Sequence, residues 1–264
     1  MPFAFALTNP GLEKSLVAEV HHRFPGWRLS FSAPGFVTFK GDDENWPRPY
    51  LARAYGECLG KGEVPGGTVL DLPKAGKWSV RVTTPLPLWK DPMQTSGLEL
   101  RADAPSRAWL KIEEAIELFG LAIGEGQCVL EVGCAPGGAV WALLNRGCQV
   151  IGVDPANMDP RVLAHPWFTH LRKPFQELTE KEYAGVDWWL SDLNLAPGSV
   201  LSHLGRLLRT ADKPRGLVLT LKLAKPEVAV ELAEHEERVR QWGYQTQVRL
   251  LPSHHQEVVL IGRR

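Results

Sequence analysis

LEVGCAPGGAVWALL, residues 130–144, is the stretch on which the fold turns. An apolar run ends at Glu131 and Val132, a turn holding Gly133, Pro136, Gly137 and Gly138 follows, and the apolar residues after it recur at helical spacing. This reads as a strand passing through a tight loop into a helix. The glycines let the backbone approach a ligand closely, and Pro136 stiffens the turn. A proline inside the loop departs from the G-x-G-x-x-G spacing of dinucleotide sites. Taken alone, a glycine-rich strand-to-helix turn is as readily a tight connection as a ligand site. The longer string VGCAPGG is far more specific.

Outward from it, the second half alternates short apolar runs with amphipathic segments. QCVLEV (127–132), CQVIGV (148–153), VDWWLSD (186–192) and RGLVLTL (215–221) are expected strands, and 137–146, 176–183, 198–212 and 226–241 are of helix length. This rhythm predicts an α/β fold, a parallel sheet with helices on both faces. The last residues, YQTQVRLLPSHHQEVVLIGRR (244–264), read as strand, turn and strand, a terminal antiparallel hairpin. SRAWLKIEEAIELFG (106–120) is expected as a helix, with Ser106 as cap and Trp109, Ile112, Ile116 and Phe119 on one face. Residues 84–105 are proline-rich and read as a linker. Before them, PGLEKSLVAEVHHRF (10–24) predicts a helix, WRLSFSAPGFVTFKG (27–41) strand–turn–strand, 46–58 a helix and 77–83 a strand. Two domains follow: residues 1–100, a small α+β domain with its linker, and residues 101–264, the α/β domain.

Composition narrows the function. Hydrophobic residues make up 44% and charged ones 23%, values of an ordinary globular protein. No apolar run reaches the ~18 residues of a membrane span, and the N-terminus lacks a secretory pattern, so a cytoplasmic protein is expected. Cys58, Cys128, Cys134 and Cys148 form no CxxC pair and read as buried thiols, with neither a disulfide framework nor a metal site. Thirty basic residues balance 30 acidic ones. A nucleic-acid partner must therefore meet a local basic surface.

EVGCAPGG (131–138) resembles the first motif of the FtsJ-like ribose 2′-O-methyltransferases. The likeness runs through the second half. ADAPSRAWLKIEEA (102–115), LEVGCAPGGAVWALLNRG (130–147), WWLSDLNLAP (188–197), LTLKL (219–223) and HQEVVLIGRR (255–264) look like consecutive blocks of the bacterial 23S ribosomal RNA cytidine 2′-O-methyltransferase family. Generic methyltransferases do not share the ADAPSRAWLKIEEA block. NPGLEKSLVAEV (9–20) looks like the start of that family's ferredoxin-like domain. The resemblance implies a Rossmann-like methyltransferase sheet, S-adenosylmethionine as cofactor, no metal, and RNA, ribosomal RNA above all, as partner. It places the catalytic tetrad on Lys111, Asp192, Lys222 and Glu257. It places the cofactor among Glu131, Gly133, Pro136, Gly137 and Gly138, with Asp154 taking the cofactor's ribose hydroxyls.

The tetrad positions also make sense from the residues. Asp192 and Lys222 follow apolar strands at the carboxyl edge of the sheet, where open α/β sheets bind ligands. Lys222 interrupts the apolar run LVLTLKLA (217–224), where a lysine needs a partner or a function. Lys111 alone reads as a solvated helix lysine, and Asp154 alone as a turn aspartate before Pro155. In the implied mechanism Lys222 deprotonates or polarises the 2′-hydroxyl, Asp192 and Glu257 hold the lysines, and Lys111 orients the ribose.

Two departures from the family pattern stand out. Lys173 and Pro174 occupy the place of the acid that binds the cofactor's adenine, and residues 1–100 are too short for a full THUMP-type module. His165, His254 and His255 read as surface or loop residues, Trp188 and Trp189 as core, and Trp89 as a stacking candidate. Competing readings are a 2′-O-methyltransferase of transfer RNA or another ribosomal site, a non-catalytic RNA-binding protein of the same fold, and a small-molecule methyltransferase. A dehydrogenase is disfavoured by the loop spacing and the terminal hairpin.

Overall fold

The computed structural model describes residues 1–41, 46–83, 96–209 and 213–264. Most of the proline-rich linker, with Trp89, lies outside the described residues. The chain divides into two compact units that are not contiguous in sequence. The first holds Met1–Ser96 together with Leu223–Ala233 and Arg249–Val258; the second holds Gly97–Lys222, Glu234–Val248 and Val259–Arg264.

In the first unit, β1 (Phe3–Leu7), α1 (Glu13–Arg23), β2 (Trp27–Ala33), β3 (Phe36–Gly41), β4 (Ala54–Lys61), β5 (Thr68–Leu72) and β6 (Gly76–Val82) follow one another. The six strands form an antiparallel sheet of order β2-β3-β1-β4-β6-β5. Phe31 of β2 and Trp78 of β6 stand at distant places in that order, yet their rings lie 5.0 Å apart. The sheet therefore curls around the cluster of Phe5, Phe36, Leu70, Trp78 and Val80. Register shifts between Leu29 and Phe31 and between Cys58 and Gly60 supply the bends, as bulges do. Leu16 and Val20 are fully buried on α1, and a 3-10 segment at Pro226–Glu231 packs against that helix. Asn9 donates to the carbonyls of Leu251 (2.8 Å) and His254 (2.7 Å) in the same unit.

The helix expected over 46–58 is absent. The Tyr50 and Leu51 amides donate to the fully buried Glu19 carboxylate at 2.6 and 3.0 Å, not to carbonyls one helical turn back. From Ala54 onward burial alternates with period two, and the chain pairs with β1 and β6 as β4. Pro47 and Pro49 further deny this stretch a helix. β1, β4 and β5 escaped the sequence reading.

The second unit runs α2 (Ala108–Phe119), β7 (Cys128–Val132), α3 (Gly138–Asn145), β8 (Gln149–Val153), α4 (Pro160–Leu163), β9 (Phe168–Leu171), a 3-10 turn (Phe175–Glu177), α5 (Glu180–Tyr183), β10 (Trp188–Ser191), α6 (Pro197–Leu207) and β11 (Gly216–Lys222). It is completed by α7 (Leu232–Gln241), β12 (Gln245–Arg249) and β13 (Glu257–Arg263), elements whose ends reach into the first unit. The seven-stranded sheet has the order β12-β13-β11-β10-β7-β8-β9. Its pairs from β9 through β8, β7 and β10 to β11 are parallel, as the βαβ rhythm requires. The Leu223 amide donates to the Gln256 carbonyl at 2.8 Å, which joins the end of β11 to the start of β13. Ser106 accepts the Ala108 amide at 3.3 Å, and Gly120 ends α2 in the left-handed conformation. Trp188 and Trp189 are core residues, 5% and 3% exposed, and Trp189 meets Tyr183 edge-on at 5.0 Å. Among the described residues no helix is long and apolar enough to cross a membrane.

Gly216 lies beside Trp188 in the β10–β11 register, and a Cβ there would meet the indole at 2.1 Å. Gly216→Val therefore forces the indole or the strand to shift. It is expected to cost about 1–3 kcal/mol, read as a lowered urea midpoint against wild type.

Candidate active site

Parallel strands end together, and the chain uses those ends as a platform. The Gly133 amide donates to the Val153 carbonyl at 2.9 Å and the Asp192 amide to the Val132 carbonyl at 3.2 Å, so β7, β8 and β10 are tied just where their loops begin. The loop after β7 is wedged on three sides. A Cβ on Gly133 (φ +78°) would meet the Asp192 carbonyl oxygen at 2.9 Å. One on Gly137 (φ +113°) would meet Val162 at 2.9 Å, and one on Gly138 would meet the Ser106 carbonyl oxygen at 2.8 Å. The glycines thus let the loop sit against α2, α4 and the segment after β10.

Asp154 pins this loop, accepting the Ala135 amide at 3.1 Å through one carboxylate oxygen and the Ala156 amide at 2.8 Å through the other. The turn role and the loop role of Asp154 coexist. Pro136 offers its carbonyl to the Asp159 amide at 2.9 Å. Glu131 is 2% exposed, and its Oε2 has no hydrogen-bond partner. Burial pushes its carboxyl well above the usual range, with Asp192 and Asp154 adding to the effect. A buried acid left unpaired beside a glycine loop is what a polar ligand would satisfy.

Three of the four expected catalytic residues converge. Lys111 Nζ donates to Asp192 Oδ2 at 2.9 Å, and Lys222 Nζ donates to Asp192 Oδ1 at 2.6 Å. Lys111 comes from the first turn of α2, Asp192 from the residue after β10, and Lys222 from the last residue of β11. All three side chains are about four-fifths buried. Burial by itself raises the Asp192 carboxyl, but the two ammonium groups and their hydrogen bonds outweigh it and hold it below the usual aspartate range. Glu257, 5% exposed, opens β13, the strand next to β11.

At the expected adenine position, Lys173 is engaged in protein contacts. Its ammonium donates to both Glu182 carboxylate oxygens at 2.7 and 2.6 Å and to the Glu177 carbonyl at 3.1 Å. Among the described residues no group of His, Cys, Asp and Glu is arranged to hold a metal. His254 lies in the loop ahead of β13, as expected, but it is buried there, its Nδ1 accepting the Leu251 amide at 3.3 Å. His255 is exposed. His165 is half-buried between two tryptophans, Trp141 and Trp167, a grouping of sequence-distant rings that periodicity did not reveal.

The sheet order and the site define a Rossmann-like methyltransferase fold. A crystal structure of a Lactococcus lactis protein designated a hemolysin shares this fold at a TM-score of 0.54 and 17% identity, over 62% of this chain and 89% of that one. Residues 104–239 match the FtsJ-like methyltransferases, and the chain belongs to that family. It is similar to the ribosomal RNA large subunit methyltransferase M of Laribacter hongkongensis, 34% identical over 65% of this chain and 50% of that protein. The enzyme of the same name from Methylococcus capsulatus is 31% identical over 58% of this chain and 44% of that one. The chain spans half or less of the length of these curated relatives.

Because the Asp192 carboxyl titrates below its unfolded value, its contribution to stability is complete above about pH 4 and is lost as pH falls through the depressed folded value. Asp192→Asn is expected to cost about 1–3 kcal/mol at pH 7, since it leaves two ammonium groups facing one another. Urea midpoints of both proteins taken from pH 7 to pH 3 should converge on acidification. A gap that widens towards acid would refute the assignment.

Proposed function

We propose that this chain transfers a methyl group from S-adenosylmethionine to a ribose 2′-hydroxyl of RNA, with a cytidine of 23S ribosomal RNA as the target, in the cytoplasm. The observation that carries this reading is one buried carboxylate, Asp192, bridging two lysine ammonium groups beside a glycine-rich strand end. Small-molecule methylation does not call for two such lysines; a polyanion with a hydroxyl to activate does.

The residues of the β7 loop fit the cofactor. Glu131 brings a buried, unpartnered oxygen, and Gly133, Gly137 and Gly138 bring a tightly folded loop at the strand end. Glu131, Gly133, Pro136, Gly137 and Gly138 would hold the methionine part, and Asp154 the ribose hydroxyls. S-adenosylmethionine supplies a methyl group already electrophilic on a sulfonium, so the transfer calls for no metal.

The protein's remaining tasks are alignment and the handling of one proton. Lys222 accepts the proton of the 2′-hydroxyl as its oxygen attacks in line. Asp192 fixes both lysines through its two carboxylate oxygens, and the proton gained by Lys222 faces that carboxylate. Lys111 holds the ribose. Glu257, which opens β13, is the fourth residue assigned to the tetrad. The first unit is assigned the RNA-binding role. A depression of about 280 Å³ lined by the exposed cations Arg28 and Lys40 with Ser30 supports it.

Methyl transfer from labelled S-adenosylmethionine to 23S ribosomal RNA, followed by nucleoside analysis, tests the reaction. Wild type should yield 2′-O-methylcytidine. Lys222→Ala and Lys222→Arg should each fall by at least about 100-fold while calorimetric cofactor binding stays within threefold. Full activity of Lys222→Arg would remove the proton-acceptor role. A different labelled nucleoside would move the target to another site.

A further inference from the structure

Glu257 lies in the segment Arg249–Val258, which belongs to the first unit. Just ahead of it, Leu251, Pro252, Ser253 and His254 form a turn, closed by the His254 amide donating to the Leu251 carbonyl at 3.1 Å. Pro252 takes the second place in that turn, where its fixed φ is suited. The Leu251 amide donates in return to His254 Nδ1 at 3.3 Å. Between the turn and β13 stand only His255 and Gln256. The Gln256 carbonyl accepts the Leu223 amide at 2.8 Å.

A residue from the far end of the chain locks this turn. The Asn9 side-chain amide donates to the Leu251 carbonyl at 2.8 Å and to the His254 carbonyl at 2.7 Å. Asn9, Leu251 and His254 are all buried, so water does not stand in for either bond once it is lost. Asn9 is itself fixed. Its carbonyl accepts the Leu12 amide at 3.1 Å, the Thr8 amide donates to the Gly35 carbonyl at 2.9 Å, and the Arg53 amide donates to the Leu7 carbonyl at 2.8 Å. Pro10 after it disfavours helical backbone at Asn9. The point from which the chain departs towards Glu257 is thus set by β1 and the loop that follows it. A carboxylate that acts on a reacting group has little freedom, since a misplacement of ~1 Å costs about 100-fold in rate.

We propose that Asn9 is a positioning residue for methyl transfer: by holding the Leu251–His254 turn through two carbonyls, it fixes the backbone that presents the Glu257 carboxylate. This rests on the ribose-methylating reading and on the place of Glu257 in it. The first unit then serves the chemical step as well as the binding of RNA, and it does so through a residue that touches no substrate.

The test is methyl transfer by the full chain to 23S ribosomal RNA over a range of RNA concentrations, below the thermal midpoint of every variant. Asn9→Ala should lower kcat by about 10–100-fold and leave the KM for RNA and calorimetric S-adenosylmethionine binding within about threefold. Glu257→Gln should lower kcat at least as far. The double variant should fall no more than about twofold below Glu257→Gln, because Asn9 acts through that carboxylate. Pro252→Gly loosens the turn with Asn9 in place and should show a smaller loss, again absent in the Glu257→Gln background. Leu70→Ala opens a cavity in the core cluster of the same unit, far from the turn in sequence, and should keep kcat within about threefold although its thermal midpoint falls. Losses that multiply in the double variant overturn the positioning role, as does a loss in kcat that Leu70→Ala reproduces. A raised KM for RNA with kcat unchanged assigns Asn9 to RNA binding instead. Wild-type transfer that Glu257→Gln leaves intact removes Glu257 from the reaction and the proposal with it. Absence of transfer by wild type overturns the function itself.

Discussion

The Asp192 carboxylate shared between Lys111 and Lys222 is the contact on which the second unit is organised. Charges this far from solvent are tolerated only when each is matched, because removing any one leaves another buried and unpaired. The three residues come from a helix and two strands, so satisfying one carboxylate fixes α2 against the ends of β10 and β11. The same residue also reaches the ligand loop through its backbone. Its amide is bonded to Val132, and its carbonyl is what a side chain at Gly133 would strike. The lysine pair and the loop after β7 are thus set by one position, with no flexible linker between them.

That coupling explains why the loop tolerates no larger residue. Gly133, Gly137 and Gly138 were read in the sequence as glycines for a ligand. In the structure the space a Cβ would take is filled by protein: the segment after β10, α4 and α2 in turn. The glycines answer to that close approach within the protein.

Much of this was legible because parallel strands buried on both faces are short apolar runs, and QCVLEV, CQVIGV, VDWWLSD and RGLVLTL all fall on strands. Lys222 stood out as a cation inside such a run. β9 did not, being four residues long and half exposed on the sheet edge. The first unit was harder. Its β4 alternates small, polar and glycine residues, AYGECLGK, which carry little hydrophobic contrast, and the segment ahead of it is shaped by Glu19, a residue some thirty positions away. The Trp141–His165–Trp167 row had no local signature at all, since proximity in the fold alone assembles it.

The discontinuous make-up of the first unit bears on how the chain is made. On a ribosome an N-terminal domain ordinarily folds while the rest is still being synthesised. Here α1 is packed by residues 226–231, and Asn9 is satisfied by the carbonyls of Leu251 and His254. Residues 1–96 therefore have one helix face bare and a polar side chain without these acceptors until residues 226–254 have been made. Completion of this unit is deferred until its later segments arrive, which makes its folding a closing of the chain upon itself.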